Sequence, residues 1–185
     1  MNLFIDTHLN DIVVILSNRG NIIKKEIIKS KKNNSTLIMP TIKKVLNDIS
    51  PSSIIVVNGP GSFTGVRLGV TIAKTLAYTL DIPIRTISSL ECMACSIENE
   101  EKIVAFSDNN GYYIGIFNND NKLIGNYEYL SNSQYEEYSK KYSIITDVEL
   151  DYTNIIDYAL SKETLNPHKV NPIYIKKLDV EKWLG

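Results

Sequence analysis

Arginine is scarce in this chain, with Arg19, Arg67 and Arg85 the only three, and histidine is scarcer, with His8 and His168 alone. Charges of the two signs nearly cancel: 20 Lys+Arg stand against 21 Asp+Glu, for a net charge of -1. A stand-alone nucleic-acid binder normally carries a basic excess that neutralises phosphates and releases counterions, so RNA contact is expected only within a larger assembly. Two histidines so far apart cannot supply the paired spacing on one helix that a zinc hydrolase or a metal-bearing transferase uses. No apolar run approaches the roughly 20 residues that cross a bilayer, and residues 1–6 lack the charged start and long apolar stretch of a signal peptide. The expectation is a cytoplasmic protein with no membrane partner.

Cysteine is limited to Cys92 and Cys95, one C-x-x-C. A redox pair belongs after a strand at a helix N-terminus, and a structural zinc site needs two more ligands. The surrounding Ser88-Ser89-Leu90-Glu91 reads instead as the first turn of a helix, so both cysteines are expected to be small buried hydrophobes.

What the chain does have is apolar patterning, 43% over 185 residues, enough for one domain or two small ones. Residues 2–6, 11–17 and 22–28 read as a three-stranded meander turning at Arg19-Gly20-Asn21. Ile38, Ile42, Val45 and Ile49 follow at helical spacing, with Pro40 obscuring the helix start. Next come a strand at 54–57, a helix at 64–80, a strand at 83–87 and the cysteine-bearing helix. The second half opens alike: a strand at 102–108 ends in Asp108 as the first ends in Asp6, and strands at 112–117 and 122–130 follow. Helices near 133–141 and 153–161 flank a strand near 143–146. This repeated strand-Asp-turn-strand pattern predicts a duplicated βββαβαβα fold with mixed sheets, divided into 1–101 and a smaller, truncated 102–185.

Asn58-Gly59-Pro60-Gly61-Ser62-Phe63-Thr64-Gly65 joins a buried strand to the long helix. Such a turn can present backbone N–H groups to phosphate, but it lacks the Gly-Lys-Ser/Thr ending of a Walker loop and does not fit G-x-G-x-x-G. A tight turn with Ser62 or Thr64 as helix cap is the simpler reading. Asp6-Thr7 reads likewise as a strand-end turn held by side-chain hydrogen bonds, and Asp108-Asn109-Asn110-Gly111 as another turn. Lys24, Lys25, Lys29, Lys31 and Lys32 read as a solvated edge and loop. In the helix at 64–80, a small row (Gly65, Gly69, Ala73, Ala77) and a large row (Leu68, Ile72, Leu76, Leu80) make the apolar arc wider than one sheet can cover. The other half of the chain or a second protein should cover the remainder, and Gly69 is expected at an open surface.

The segment from 54 to 94, with Gly-Pro-Gly-Ser-Phe-Thr-Gly-Val-Arg-Leu-Gly ending at Gly69, Asp81-Ile82-Pro83-Ile84 and Ser88-Ser89-Leu90-Glu91, resembles the bacterial TsaB family. Leu3-Phe4-Ile5-Asp6-Thr7 matches that family's opening, and Pro172-Ile173-Tyr174-Ile175-Lys176 resembles its terminal element. The likeness is dense over 1–95 and thins over 102–185. It departs at Asn33-Asn34-Ser35, where the family commonly has a His-Ser pair. The resemblance implies a duplicated actin-like (ASKHA) fold and a part in making threonylcarbamoyladenosine beside the anticodon of tRNA. It also implies a non-catalytic subunit, with no cofactor or metal of its own. Its partners would be the metal-bearing transferase TsaD and the ATPase TsaE, with tRNA reached through the complex and a homodimer as the alternative in isolation. Carried over by position, the partner surface falls on Ile38, Ile42, Val45, Gly65, Leu68, Gly69, Ile72, Ala73 and Leu76. The contrasting reading is a small actin-like enzyme that binds or hydrolyses ATP through Asp6, Thr7 and the loop from Gly59 to Gly65.

Overall fold

The computed structural model describes residues 1–9, 11–29, 34–98 and 101–175. Lys31, Lys32, Asn33 and Lys176, and the boundary residues Asn99 and Glu100, lie outside them. The chain opens with β1 (Asn2–Asp6), β2 (Asp11–Asn18) and β3 (Asn21–Lys29), followed by α1 (Asn34–Leu46), β4 (Ser53–Val57), α2 (Phe63–Leu80), β5 (Ile84–Ile87) and α3 (Ser89–Cys95). These strands form one mixed sheet in the order β3-β2-β1-β4-β5, antiparallel through the meander and parallel from β1 to β5.

Both faces of this sheet are buried, which is why its central strands are near-continuous apolar runs rather than alternating ones. Leu3, Ile5, Val14, Ile54 and Val56 meet α1 and α2 on one face. Phe4, Ile15, Ile55 and Val57 meet Cys92 and Cys95 of α3 on the other. Helix α1 starts before Pro40, which lies inside it, and stops at Leu46. Asn47 and Asp48 take positive φ of 44° and 67° there, a conformation their short polar side chains tolerate. Ile49, expected on the same helical face, therefore falls outside the helix.

The second half repeats the order with β6 (Lys102–Ser107), β7 (Gly111–Phe117), β8 (Glu128–Ser131), α4 (Asn132–Ser139), β9 (Ile144–Ile145) and α5 (Tyr152–Ser161). Its sheet runs β8-β7-β6-β9, with β6 antiparallel to β7 and parallel to β9, as β1 is to β2 and β4. The third strand is shorter than the sequence suggests. Asn121 and Gly125 have positive φ of 59° and 77°, and between β7 and β8 the chain pairs with β7 at a Phe117 to Leu123 bridge, the Ile124 N–H donating to the Ile116 carbonyl at 2.7 Å. Both halves close their first strand with one device: Asp6 Oδ1 accepts the His8 N–H at 2.9 Å and Asp108 Oδ1 accepts the Asn110 N–H at 2.8 Å. Each Asp thereby builds an Asx-type turn.

After β9 the chain returns to the first sheet. Ile155, Ile156 and Ala159 of α5 join the core around Phe4 and Ile55, Leu165 bridges Ile84, and Val170 sits among the residues under α2. The Ile173 N–H donates to the Asn58 carbonyl at 2.8 Å. Residues 152–173 thus pack mainly with the first sheet although they follow the second in sequence, while Ile175 packs against the cluster around Val104 and Phe117. Lys162 seals this return with a 2.7 Å ion pair to Glu91, whose carboxylate also completes the capping box of α3 with Ser88.

Candidate functional site

Two regions hold the candidate functional residues in a defined frame: the junction of β1 with the glycine-rich turn, and the outward flank of α2.

At the junction, Thr7 Oγ1 donates to the Gly65 carbonyl at 2.7 Å and the Ser62 N–H donates to the His8 carbonyl at 2.7 Å. Ser62 caps α2 by accepting from the Gly65 N–H. Ser89 holds the turn from below, its N–H on the Gly59 carbonyl and its Oγ on the Pro60 carbonyl at 2.6 Å. The glycines serve close approach: a Cβ on Gly61 would lie 2.3 Å from the His8 carbonyl oxygen, and one on Gly65 2.1 Å from that of Thr7. The turn is thus filled by the protein's own chain. Asp6 is engaged too, since His8 Nδ1 lies 2.6 Å from Asp6 Oδ1 and both residues are buried. His8 is the residue that sequence reasoning passed over; its signal was the two-residue separation from Asp6, within reach of an Asx turn.

Cys92 and Cys95 are free and buried. Burial, reinforced by Asp6, raises the Cys92 thiol, and burial followed by Glu91 pushes Cys95 up to about 12. Neither carries the thiolate that redox or metal chemistry needs. Iodoacetamide at pH 8 should therefore modify the native protein roughly a hundredfold more slowly than the urea-unfolded chain. A thiol whose pKa is raised on folding contributes stability below its unfolded pKa and loses it as pH climbs to the folded one. Unfolding midpoints should accordingly fall between about pH 9 and 12, and a flat profile there would contradict the assignment.

The nine residues expected at a partner surface do gather on the α1 and α2 side of the first sheet, but most of them face inward. Ile38, Ile42 and Val45 are the buried face of α1, and Gly65, Gly69 and Ala73 are buried beneath α2. The expectation that Gly69 is open in the monomer is corrected: a Cβ there would stand 2.4 Å from Thr7 Oγ1. The small-residue row is how α2 approaches β1, not a surface left for another protein. Leu68, Ile72 and Leu76 form the outward ridge, half-buried against the same cluster as Leu37 and Leu46 of α1.

The opposite flank of α2 is covered by the returning chain. Lys74 Nζ donates to the Val170 carbonyl at 2.9 Å, Arg67 Nε donates to the Tyr174 hydroxyl at 2.7 Å, and Arg67 stacks over Phe63 at 3.8 Å. Both covers proposed from sequence are therefore distinguishable. The chain's own C-terminal segment takes one flank, and the ridge remains.

A family model described as TsaD, tRNA N6-adenosine threonylcarbamoyltransferase, matches residues 21–114, just over half the chain. The Bacillus subtilis (strain 168) protein named tRNA threonylcarbamoyladenosine biosynthesis protein TsaB is 40% identical over 130 residues. The chain belongs to the TsaB family. That match takes in 66% of this chain and 57% of the Bacillus protein's length. The Escherichia coli (strain K12) TsaB is 34% identical over 98 residues, 50% of this chain and 42% of that one. In three dimensions the TsaB-family chain superposes on YeaZ from Pseudomonas aeruginosa with a TM-score of 0.77 at 18% identity, covering 94% of this chain and 98% of that one. A second Pseudomonas aeruginosa structure, described as similar to peptidase YeaZ, gives 0.78 at 16% identity over 95% and 99%. The fold is thus the one these two structures have, shared along nearly the whole chain while sequence identity is low.

Proposed function

We propose that this chain is a non-catalytic subunit in tRNA N6-threonylcarbamoyladenosine synthesis, pairing with a TsaD-like transferase through the α2 ridge and supporting a TsaE-like ATPase in the same assembly. The observation that carries this reading is the Leu68, Ile72, Leu76 row, the apolar flank of α2 that the core beneath it covers only in part. The family membership supports the pathway. The filled turn at Gly59 to Gly65 and the Asp6 carboxylate held by His8 favour a scaffold over an enzyme acting on ATP. tRNA is reached through the partner, in keeping with the net charge of -1.

Affinity purification of the tagged chain from its native cell should yield the TsaD-like paralogue at equal stoichiometry, and the purified chain alone should show neither saturable Mg-ATP binding nor ATP turnover. Micromolar Mg-ATP affinity abolished by Asp6→Ala would overturn the scaffold reading in favour of the enzyme. Recovery of the chain only with itself would replace the heterodimer by a homodimer.

A further inference from the structure

The row Phe63, Arg67, Thr71, Thr75 runs along α2 beside the Leu68, Ile72, Leu76 ridge and is exposed throughout. Arg67 is its only charged member. The other cation of the helix, Lys74, is engaged with the Val170 carbonyl.

Three contacts fix where the Arg67 guanidinium lies. It stacks on the Phe63 ring at 3.8 Å, the Tyr174 ring stands 5.7 Å away, and Nε donates to the Tyr174 hydroxyl at 2.7 Å. Phe63 and Tyr174 themselves lie 5.8 Å apart. Nε is thereby committed, while Nη1 and Nη2 meet no acceptor among the described residues and none of the ion pairs there includes Arg67. The arrangement holds an exposed, unpaired cation in a set orientation, whereas a free arginine side chain samples many rotamers.

A partner covering the ridge has to meet this group. A side chain free to move could swing its charge into water as the surface is covered. The stack and the Nε bond resist that here, so cover without a counter-charge would leave a fixed cation desolvated and unpaired, which is costly. The two terminal N–H groups of a guanidinium match the two oxygens of a carboxylate. Phosphate offers similar acceptors, but a nucleic-acid backbone is held by several cations together, and this row supplies one, beside apolar side chains. Phe, Tyr and Arg are moreover the side chains enriched in protein interfaces.

We infer that Arg67, held by Phe63 and Tyr174, receives an Asp or Glu side chain of the protein partner that covers α2, a charged anchor at the N-terminal end of the ridge. The inference rests on the pairing proposed above and names the chemistry that the partner brings to it.

Surface plasmon resonance of the full chain and its variants on the purified TsaD-like protein tests it. Arg67→Ala should weaken binding about 10- to 100-fold, and Arg67→Lys should recover little of the loss, because an ammonium presents no planar fork. Tyr174→Phe keeps the ring and removes only the hydroxyl that aims Nε, and should weaken binding about three- to tenfold. Thermal denaturation of each variant checks that it is folded. At saturating partner, a carbodiimide should join position 67 of the Arg67→Lys variant to an Asp or Glu of the partner through an amide that mass spectrometry locates. Affinity within twofold of wild type for Arg67→Ala, while Ile72→Asp weakens binding, would overturn this inference and leave the pairing standing. No wild-type affinity for the TsaD-like protein would overturn both. Partner affinity retained by Arg67→Ala, with tRNA binding by the assembled complex lost, would assign the cation to phosphate and overturn the carboxylate.

Discussion

Gly65→Ala should lower the thermal midpoint of the isolated chain by about 2 to 12 °C, taking an overpacking cost of about 1 to 3 kcal/mol and about 2 to 4 °C per kcal/mol for a chain of this size. A Cβ at that position would sit 2.1 Å from the Thr7 carbonyl oxygen, a backbone atom that can yield only by shifting the end of β1. The displacement would also disturb the Thr7 Oγ1 to Gly65 carbonyl hydrogen bond at 2.7 Å, which ties the strand end to the helix. Gly69→Leu acts on the same seam. Its Cβ meets Thr7 Oγ1 at 2.4 Å and the rest of the side chain has nowhere to go but the packed face under α2, so its penalty should exceed that of Gly65→Ala. Differential scanning fluorimetry on both variants, with Thr71→Ala on the exposed side of α2 as control, checks the order. A midpoint for Gly69→Leu within the control's range would mean that α2 does not approach β1 through its glycines.

That result would also mark where the sequence was legible and where it was not. The strands could be read because burial on both faces makes Ile54-Ile55-Val56-Val57 and Ile12-Val13-Val14-Ile15-Leu16 uninterrupted apolar runs. The starts of α2 and α3 could be read because Ser62 and the Ser88 to Glu91 segment have local chemistry, although the structure makes Ser88 the cap of α3 rather than part of its first turn. The orientation of α2 could not. A helix with one small-residue row and one large-residue row fits a sheet by either, and the contact that decides it, Thr7 on Gly65, joins residues 58 apart in sequence. Likewise Asp6 was visible as a strand-ending residue, but the approach of His8 Nδ1 to 2.6 Å from its carboxylate was not. The cover supplied to α2 by Val170 and Tyr174 depends on the chain's return from the second sheet, which the repeat pattern carries no trace of.

If the proposed pairing with a TsaD-like protein uses the α2 ridge, Ile72→Asp should weaken it strongly while leaving the fold intact. The position lies midway along the Leu68, Ile72, Leu76 row, and interface energy concentrates in central, well-desolvated anchors. A carboxylate there would be buried against apolar surface without a partner charge, a larger loss than the missing methyl groups alone. About 2 to 4 kcal/mol of lost binding corresponds to roughly a 30- to 1000-fold weaker Kd. In the monomer the same side chain is half-exposed, so the new carboxylate can keep water and the thermal midpoint should fall far less than for the glycine variants. Glu136→Lys on α4, an exposed residue of the second half, provides a control for nonspecific charge effects. Surface plasmon resonance against the purified partner, run beside thermal denaturation, separates the two quantities. Unchanged affinity for Ile72→Asp would place the interface elsewhere, and a collapse of the midpoint with affinity retained by the folded fraction would make the ridge a part of the core.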